Sequence, residues 1–181
     1  MDIQSLSVAV PGGCPNRCPF CISKMNQANK EIKNEVPTHN ILGRLIFAKE
    51  KGCDTVILTG TGEPMLHTDY IKSFLKINVV KGKKIFQNIE VQTSGTELMK
   101  ELDKSYFKNN ISTISLSVVY PFGDSTNFSE MYTPIHLWFN IKELCKKIKE
   151  NGYNLRMSIN LTSIFNDLNV DSIFKELKNM G

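Results

Sequence analysis

The sequence predicts an α/β fold in which a parallel sheet curves into an incomplete (β/α) barrel. Two patterns predict it. Short apolar strand segments alternate with helical segments along the chain, the order that a parallel sheet with crossover helices requires. Each strand also alternates polar with apolar residues, so it has one polar and one apolar face. A parallel sheet covered by helices on both sides reads instead as nearly unbroken apolar runs. A closed eight-stranded barrel fills its interior with branched apolar side chains. An apolar face packed on helices, opposite a polar face lining a cavity, fits a barrel that is curved but incomplete. The plainer reading is an ordinary doubly wound sheet that tolerates serines near its strand ends. One domain over residues 1–181 is expected at this length.

The first strand is predicted over Leu6–Val10, with Ser5, Ser7 and Ala9 on one face and Leu6, Val8 and Val10 on the other. A helix over Asn40–Lys51 follows, stopped by Gly52. The second strand, Thr55–Thr59, has the weakest alternation, with Thr55 and Thr59 flanking Ile57. A helix is predicted over Tyr70–Val79 and a third strand over Ile89–Thr93, where Glu90, Gln92 and Ser94 oppose Ile89, Val91 and Thr93. A helix over Glu97–Lys108 leads to a fourth strand, Ile111–Val119, with Ser115 and Ser117 on its polar side. After a long aromatic-rich connection, Tyr120–Trp138, a helix is predicted over Leu137–Asn151, ended by Gly152. That connection is expected to overhang the cavity mouth or to form an aromatic-tied surface loop. The fifth strand, Asn154–Thr162, sets Arg156, Ser158, Asn160 and Thr162 against Leu155, Met157, Ile159 and Leu161. The last helix is predicted over Val170–Met180.

Directly after the first predicted strand comes Cys14-Pro15-Asn16-Arg17-Cys18-Pro19-Phe20-Cys21. The spacing would suit one face of a helix, but Pro19 cannot sit inside a helix, and Cys14 and Cys18 each precede a proline that biases them to extended backbone. A loop wrapped around a cofactor is expected, with Gly12 and Gly13 permitting the tight turn. Three thiolates suit a cubane iron–sulfur cluster with one iron left open. A closed zinc site would need a fourth ligand from Cys53, Cys145 or a histidine, and His39, His67 and His136 are all distant in sequence. A chain this long can bury a core without disulfide staples. Cys53 and Cys145 read as packed residues, and His67 as a helix-entry residue, with contact to substrate as the alternative. The remaining polar stretches also lie at strand ends: Gly62-Glu63-Pro64 after the second and Gln92-Thr93-Ser94-Gly95 at the third. Parallel α/β folds place their sites there.

These stretches resemble the radical S-adenosylmethionine (radical SAM) enzymes. The family carries CxxxCxΦC with an aromatic before the last cysteine, which Phe20 matches, and a Gly-Gly-Glu-Pro stretch after the second strand, which Gly62, Glu63 and Pro64 match. Thr61 stands where the first glycine of that stretch usually sits. The resemblance spans essentially the whole chain. It implies an incomplete TIM-like barrel with six strands expected and five visible, a sixth strand and a substrate-binding cap being expected beyond Gly181. It implies a [4Fe–4S] cluster on Cys14, Cys18 and Cys21, with S-adenosyl-L-methionine on the open iron. Reductive cleavage then gives a 5′-deoxyadenosyl radical that abstracts hydrogen from substrate. Glu63 and the Gly62 backbone would hold the amino group and Phe20 would support the adenine. Gln92, Ser94, Ser117 and Asn160, on polar strand faces, are candidates for ribose or carboxylate hydrogen bonds. A reductant such as flavodoxin or ferredoxin is an expected partner. The substrate is a small molecule or a peptide that no residue identifies, and no catalytic side chain is singled out.

Two other classes compete. An iron–sulfur electron carrier would bind the cluster without cleaving S-adenosylmethionine, but carriers normally give every iron a protein ligand. A zinc-stabilised α/β binding domain would hold zinc and no acid-labile sulfide. Charge favours no nucleic-acid role: 22 basic and 18 acidic residues leave a formal +4. The runs Lys81-Gly82-Lys83-Lys84 and Lys146-Lys147-Ile148-Lys149 read as solvated faces. No apolar stretch approaches the roughly 20 residues that cross a bilayer. With reduced cysteines and no leader-like start, a cytoplasmic location is expected.

Overall fold

The computed structural model describes residues 4–26, 40–120, 122, 134–161 and 168–180. Its strands and helices run β1 (Ser5–Val10), α1 (Ile22–Asn26), α2 (Ile41–Glu50), β2 (Thr55–Gly60), α3 (Thr68–Ile77), β3 (Val79–Val80), β4 (Lys83–Lys84), β5 (Asn88–Thr93), α4 (Ser105–Lys108), β6 (Thr113–Val118), α5 (Ile141–Glu150), β7 (Asn154–Ile159) and α6 (Val170–Met180). Short 3₁₀ turns lie at Pro64–His67, Leu98–Lys100 and Ile135–Leu137.

Five parallel strands form one sheet in the order β1-β2-β5-β6-β7, an incomplete TIM-like barrel whose edges are β1 and β7. The alternation seen in the sequence sorts the two faces. Val56, Leu58, Ile89, Val91, Ile114 and Leu116 are fully buried on the apolar face. Helices meet them with Leu45 and Ala48 from α2, Ile71, Phe74 and Leu75 from α3, and Ile141, Leu144, Cys145 and Ile148 from α5. The α5 set recurs at helical spacing, which is why that segment forms a helix on the sheet. Register lines up the polar face in rows. Gln92 of β5 stands beside Ser115 of β6, and Ser115 beside Arg156 of β7. Gly52 and Gly152 take the positive φ values (88° and 82°) that end α2 and α5.

Several expectations need correcting. The helix predicted over Glu97–Lys108 is broken into the 3₁₀ turn at Leu98–Lys100 and the four-residue α4. Glu97 is left-handed and Lys104 extended, while the Tyr153 hydroxyl donates to the Leu102 carbonyl at 2.7 Å, a carbonyl a continuous helix would use itself. The third helix ends at Ile77, not Val79, because Val79–Val80 pairs antiparallel with Lys83–Lys84. Lys81 and Gly82 both have positive φ, the geometry of a tight two-residue hairpin. At the predicted Gly12–Gly13 turn only Gly13 is left-handed, with φ 115°. The last strand stops at Ile159 and leaves Asn160 just beyond it. Of the aromatic connection, Phe128 and Tyr132 lie outside the described residues; the Tyr120 and Phe122 rings lie 5.4 Å apart. Among the described residues no helix is long and apolar enough to cross a membrane.

Candidate active site

The cysteine segment leaves β1 as a loop, as its prolines dictate, and becomes helical only at Ile22. The Cys21 amide donates to the Cys18 carbonyl at 3.3 Å and the Lys24 amide to the Cys21 carbonyl at 3.1 Å, which turns the chain into α1. Lys24 Nζ then reaches back to the Asn16 carbonyl at 3.0 Å. Cys18, Phe20 and Cys21 pack on Val119 at the end of β6, so the loop folds over the carboxyl end of the sheet. Burial pushes the Cys14 thiol up, and it pushes Cys18 up to about 11, with Cys14 and Cys21 adding to the effect on Cys18.

The second motif docks on this loop through its backbone. A Cβ on Gly62 would lie 2.1 Å from the Gly13 carbonyl oxygen and 2.6 Å from its nitrogen, so glycine is what allows the approach. The Glu63 amide donates to that same carbonyl at 2.8 Å. Pro64 opens the 3₁₀ turn, where its missing amide hydrogen costs nothing. His67 ends that turn and enters α3, and its Nε2 lies 2.8 Å from the Gly12 carbonyl, which assigns the ring proton to Nε2. Two motifs far apart in sequence thus form one backbone unit.

Glu63 is 2% exposed and its carboxylate is fully used. Oε1 accepts from the Met65 amide at 3.0 Å and the Thr93 hydroxyl at 2.6 Å. Oε2 accepts from the Ser94 amide at 2.8 Å and the Ser94 hydroxyl at 2.6 Å. Four bonds match the four lone-pair positions of a carboxylate. Burial pushes the carboxyl up, and the donors from Ser94, Thr93 and Met65 work against that.

Around these elements lies a cavity of about 380 Å³. Cys14, Cys18, Cys21, Phe20, Gly62, Glu63, Gln92, Ser94, Ser117 and Asn160 all line it. Pro64, the other residue singled out in the sequence, is buried behind the turn. Sequence reasoning missed Asn16, Thr59 and Thr93, which also line the cavity. Thr59 was legible as a residue of a polar strand face. Thr93 belongs to the polar stretch that ends the third strand but falls on the apolar side of its alternation, and its bond to Glu63 shows its role. Cys53 and Cys145 are fully buried elsewhere, and the Cys53 thiol donates to the Thr55 carbonyl at 3.3 Å.

Among the described residues no three His, Cys, Asp or Glu side chains converge on a single metal position. A cubane cluster does not require convergence, because each thiolate takes a different iron. The volume lies within the usual range for a bound small molecule, about 300–1,000 Å³. Three thiols and the polar groups of the strand ends share this cavity, a donor set that fits a cluster carrying an organic ligand.

No curated protein matches the chain. The model of the Radical SAM superfamily matches residues 8–178, from β1 to α6, and so takes in the cysteine loop, the Gly-Glu-Pro turn and all five strands that carry the cavity. Proteins of that superfamily generally bind a [4Fe–4S] cluster and S-adenosylmethionine. With both motifs at the carboxyl end of such a sheet, and the match running almost from end to end, the chain belongs to the radical SAM superfamily of enzymes.

Proposed function

We propose that Cys14, Cys18 and Cys21 hold a [4Fe–4S] cluster and that the protein uses it to cleave S-adenosylmethionine reductively. The observation that carries this reading is the sharing of one cavity by three thiols and the Gly62–Glu63 turn. The chemistry the group supplies when bound is one-electron reduction of the sulfonium, giving methionine and a 5′-deoxyadenosyl radical that abstracts hydrogen from substrate. The chain's residues bind and orient. The Gly62 turn offers backbone carbonyls to the amino group. Glu63 contributes its charge and the shape of the turn, since its oxygens are occupied by Met65, Thr93 and Ser94. Phe20 offers a ring and backbone to the adenine. Gln92, Ser117 and Asn160 offer amides and a hydroxyl to the ribose and carboxylate, while Ser94 serves mainly by positioning Glu63. A flavodoxin- or ferredoxin-type reductant supplies the electron, and the substrate is a small molecule or a peptide.

The test is anaerobic. The cluster is reconstituted, reduced with dithionite and mixed with S-adenosylmethionine, and 5′-deoxyadenosine is measured. Formation of 5′-deoxyadenosine is expected, and its loss in Cys18→Ala. Full cluster occupancy without cleavage would favour an electron carrier and overturn the reading.

A further inference from the structure

One charged pair on the polar face of the sheet has no part in the chemistry above. Arg156 of β7 reaches along its row toward β5. Its Nη2 donates to Glu90 Oε1 at 2.5 Å and its Nε to Ser115 Oγ at 3.2 Å. Gln92, which lines the cysteine cavity, donates to the same Glu90 oxygen at 3.4 Å. Glu90 is 9% exposed at its side chain, whereas Arg156 is 52% exposed. Its Nη1 has no partner among the described residues. Arg156 is also the only cation among the described strand residues on this face.

The apolar core lies on the other face, so the pair seals nothing there. Burying a carboxylate has a desolvation cost, and a buried ion pair is weak evidence for stability. What the arrangement does is fix a guanidinium. With Nε and Nη2 held, the planar fork is pre-organised and its open edge presents donors in the geometry that matches carboxylate and phosphate. The row matters too. Arg156 lies across Ser115 from Gln92, two strand spacings away or about 10 Å at the backbone, and four residues before Asn160, which lines the cavity.

We propose that Arg156 anchors an oxyanion of the substrate, a carboxylate or a phosphate, on the polar sheet face beside the cysteine cavity, with Glu90 as a positioning residue. This assignment rests on the reading of the cavity given above. The carboxylate of S-adenosylmethionine is the other source of the same chemistry, and the test separates the two.

The reconstituted protein is titrated anaerobically with inorganic phosphate and, separately, with S-adenosylmethionine, by calorimetry at low ionic strength. Saturable phosphate binding is expected in the wild type. Arg156→Gln should weaken it at least tenfold and leave S-adenosylmethionine affinity within twofold. Arg156→Lys, which keeps the charge but not the fork, should fall between. Glu90→Ala, which removes the acceptor that holds Nη2, should weaken phosphate binding several-fold even though it removes a negative charge, and equal or tighter binding there overturns the positioning role. Absence of saturable phosphate binding in the wild type, or equal affinity in Arg156→Gln with a native near-ultraviolet circular dichroism spectrum, overturns the proposal. So does selective loss of S-adenosylmethionine binding in Arg156→Gln. Failure of the parent reading looks different. Cleavage would be absent in the wild type while phosphate affinity still depended on Arg156.

Discussion

Ser94 donates twice to one oxygen of Glu63, from its amide at 2.8 Å and from its hydroxyl at 2.6 Å, and so ties the turn after β2 to the end of β5. Thr93 and Met65 take the other oxygen. The glutamate is a clamp between strand ends as well as a charge at the cavity wall. The Gly62 carbonyl, one residue earlier, is held in place by that clamp.

Glu63→Gln tests it. The hydroxyls of Thr93 and Ser94 can rotate to accept, but the Ser94 and Met65 amides can only donate, so an amide nitrogen must face at least one of them. Leaving that group unpaired should lower stability by about 1–3 kcal/mol. Urea unfolding followed by circular dichroism reads the change, and an unmoved midpoint would sink the clamp.

Gly62→Ala tests the joint between the motifs. The new methyl would meet the Gly13 carbonyl oxygen at 2.1 Å, so the two loops must part. Overpacking of this kind costs about 1–3 kcal/mol. The cysteine loop moves with Gly13, and the reconstituted variant should retain less than half the wild-type iron and sulfide. Iron and sulfide analysis checks this; full retention would mean that the loops dock independently.

The cysteines divide into two groups. Ala at Cys14, Cys18 or Cys21 should abolish the four-iron absorbance after reconstitution. Ala at Cys53 or Cys145, both fully buried in the core, should leave iron and sulfide per chain unchanged. Loss of cluster in either of the latter variants would place a fourth sulfur at the site.

Cys145 also predicts a pH dependence. Burial pushes its thiol from 9.0 up to about 11. Between those values the unfolded chain releases the proton while the folded chain keeps it, so this contribution to stability is intact below pH 9 and is lost as pH rises through 11. Two pH units correspond to about 2–3 kcal/mol. The stability of Cys145→Ala should decline less steeply over that window; Cys18, also pushed up to about 11, titrates in both proteins. Parallel slopes in denaturant melts at pH 8, 9, 10 and 11 would contradict the shift.

Much of the molecule was legible before folding. The polar and apolar faces of β5, β6 and β7 follow from a backbone that points successive side chains to opposite sides. The failures have different causes. Glu97–Lys108 has helical composition, yet Tyr153, some fifty residues on, takes the Leu102 carbonyl that a continuous helix needs. The hairpin at Lys81–Gly82 was hidden because a lysine-rich run looks like a solvated face, and only the positive φ of both residues reveals the turn.

By itself the sequence determined the three thiols, the prolines that keep them off a helix, and the strand ends at which polar residues collect. These are local properties, set by residue type and spacing. Only the tertiary structure decided that Gly62 rests on the Gly13 backbone, that Thr93 and Ser94 saturate Glu63, and that Arg156 crosses to Glu90. Those contacts join residues 30 to 66 positions apart, and each needs close approach or a specific donor geometry that exists only once the parallel strands have set their register.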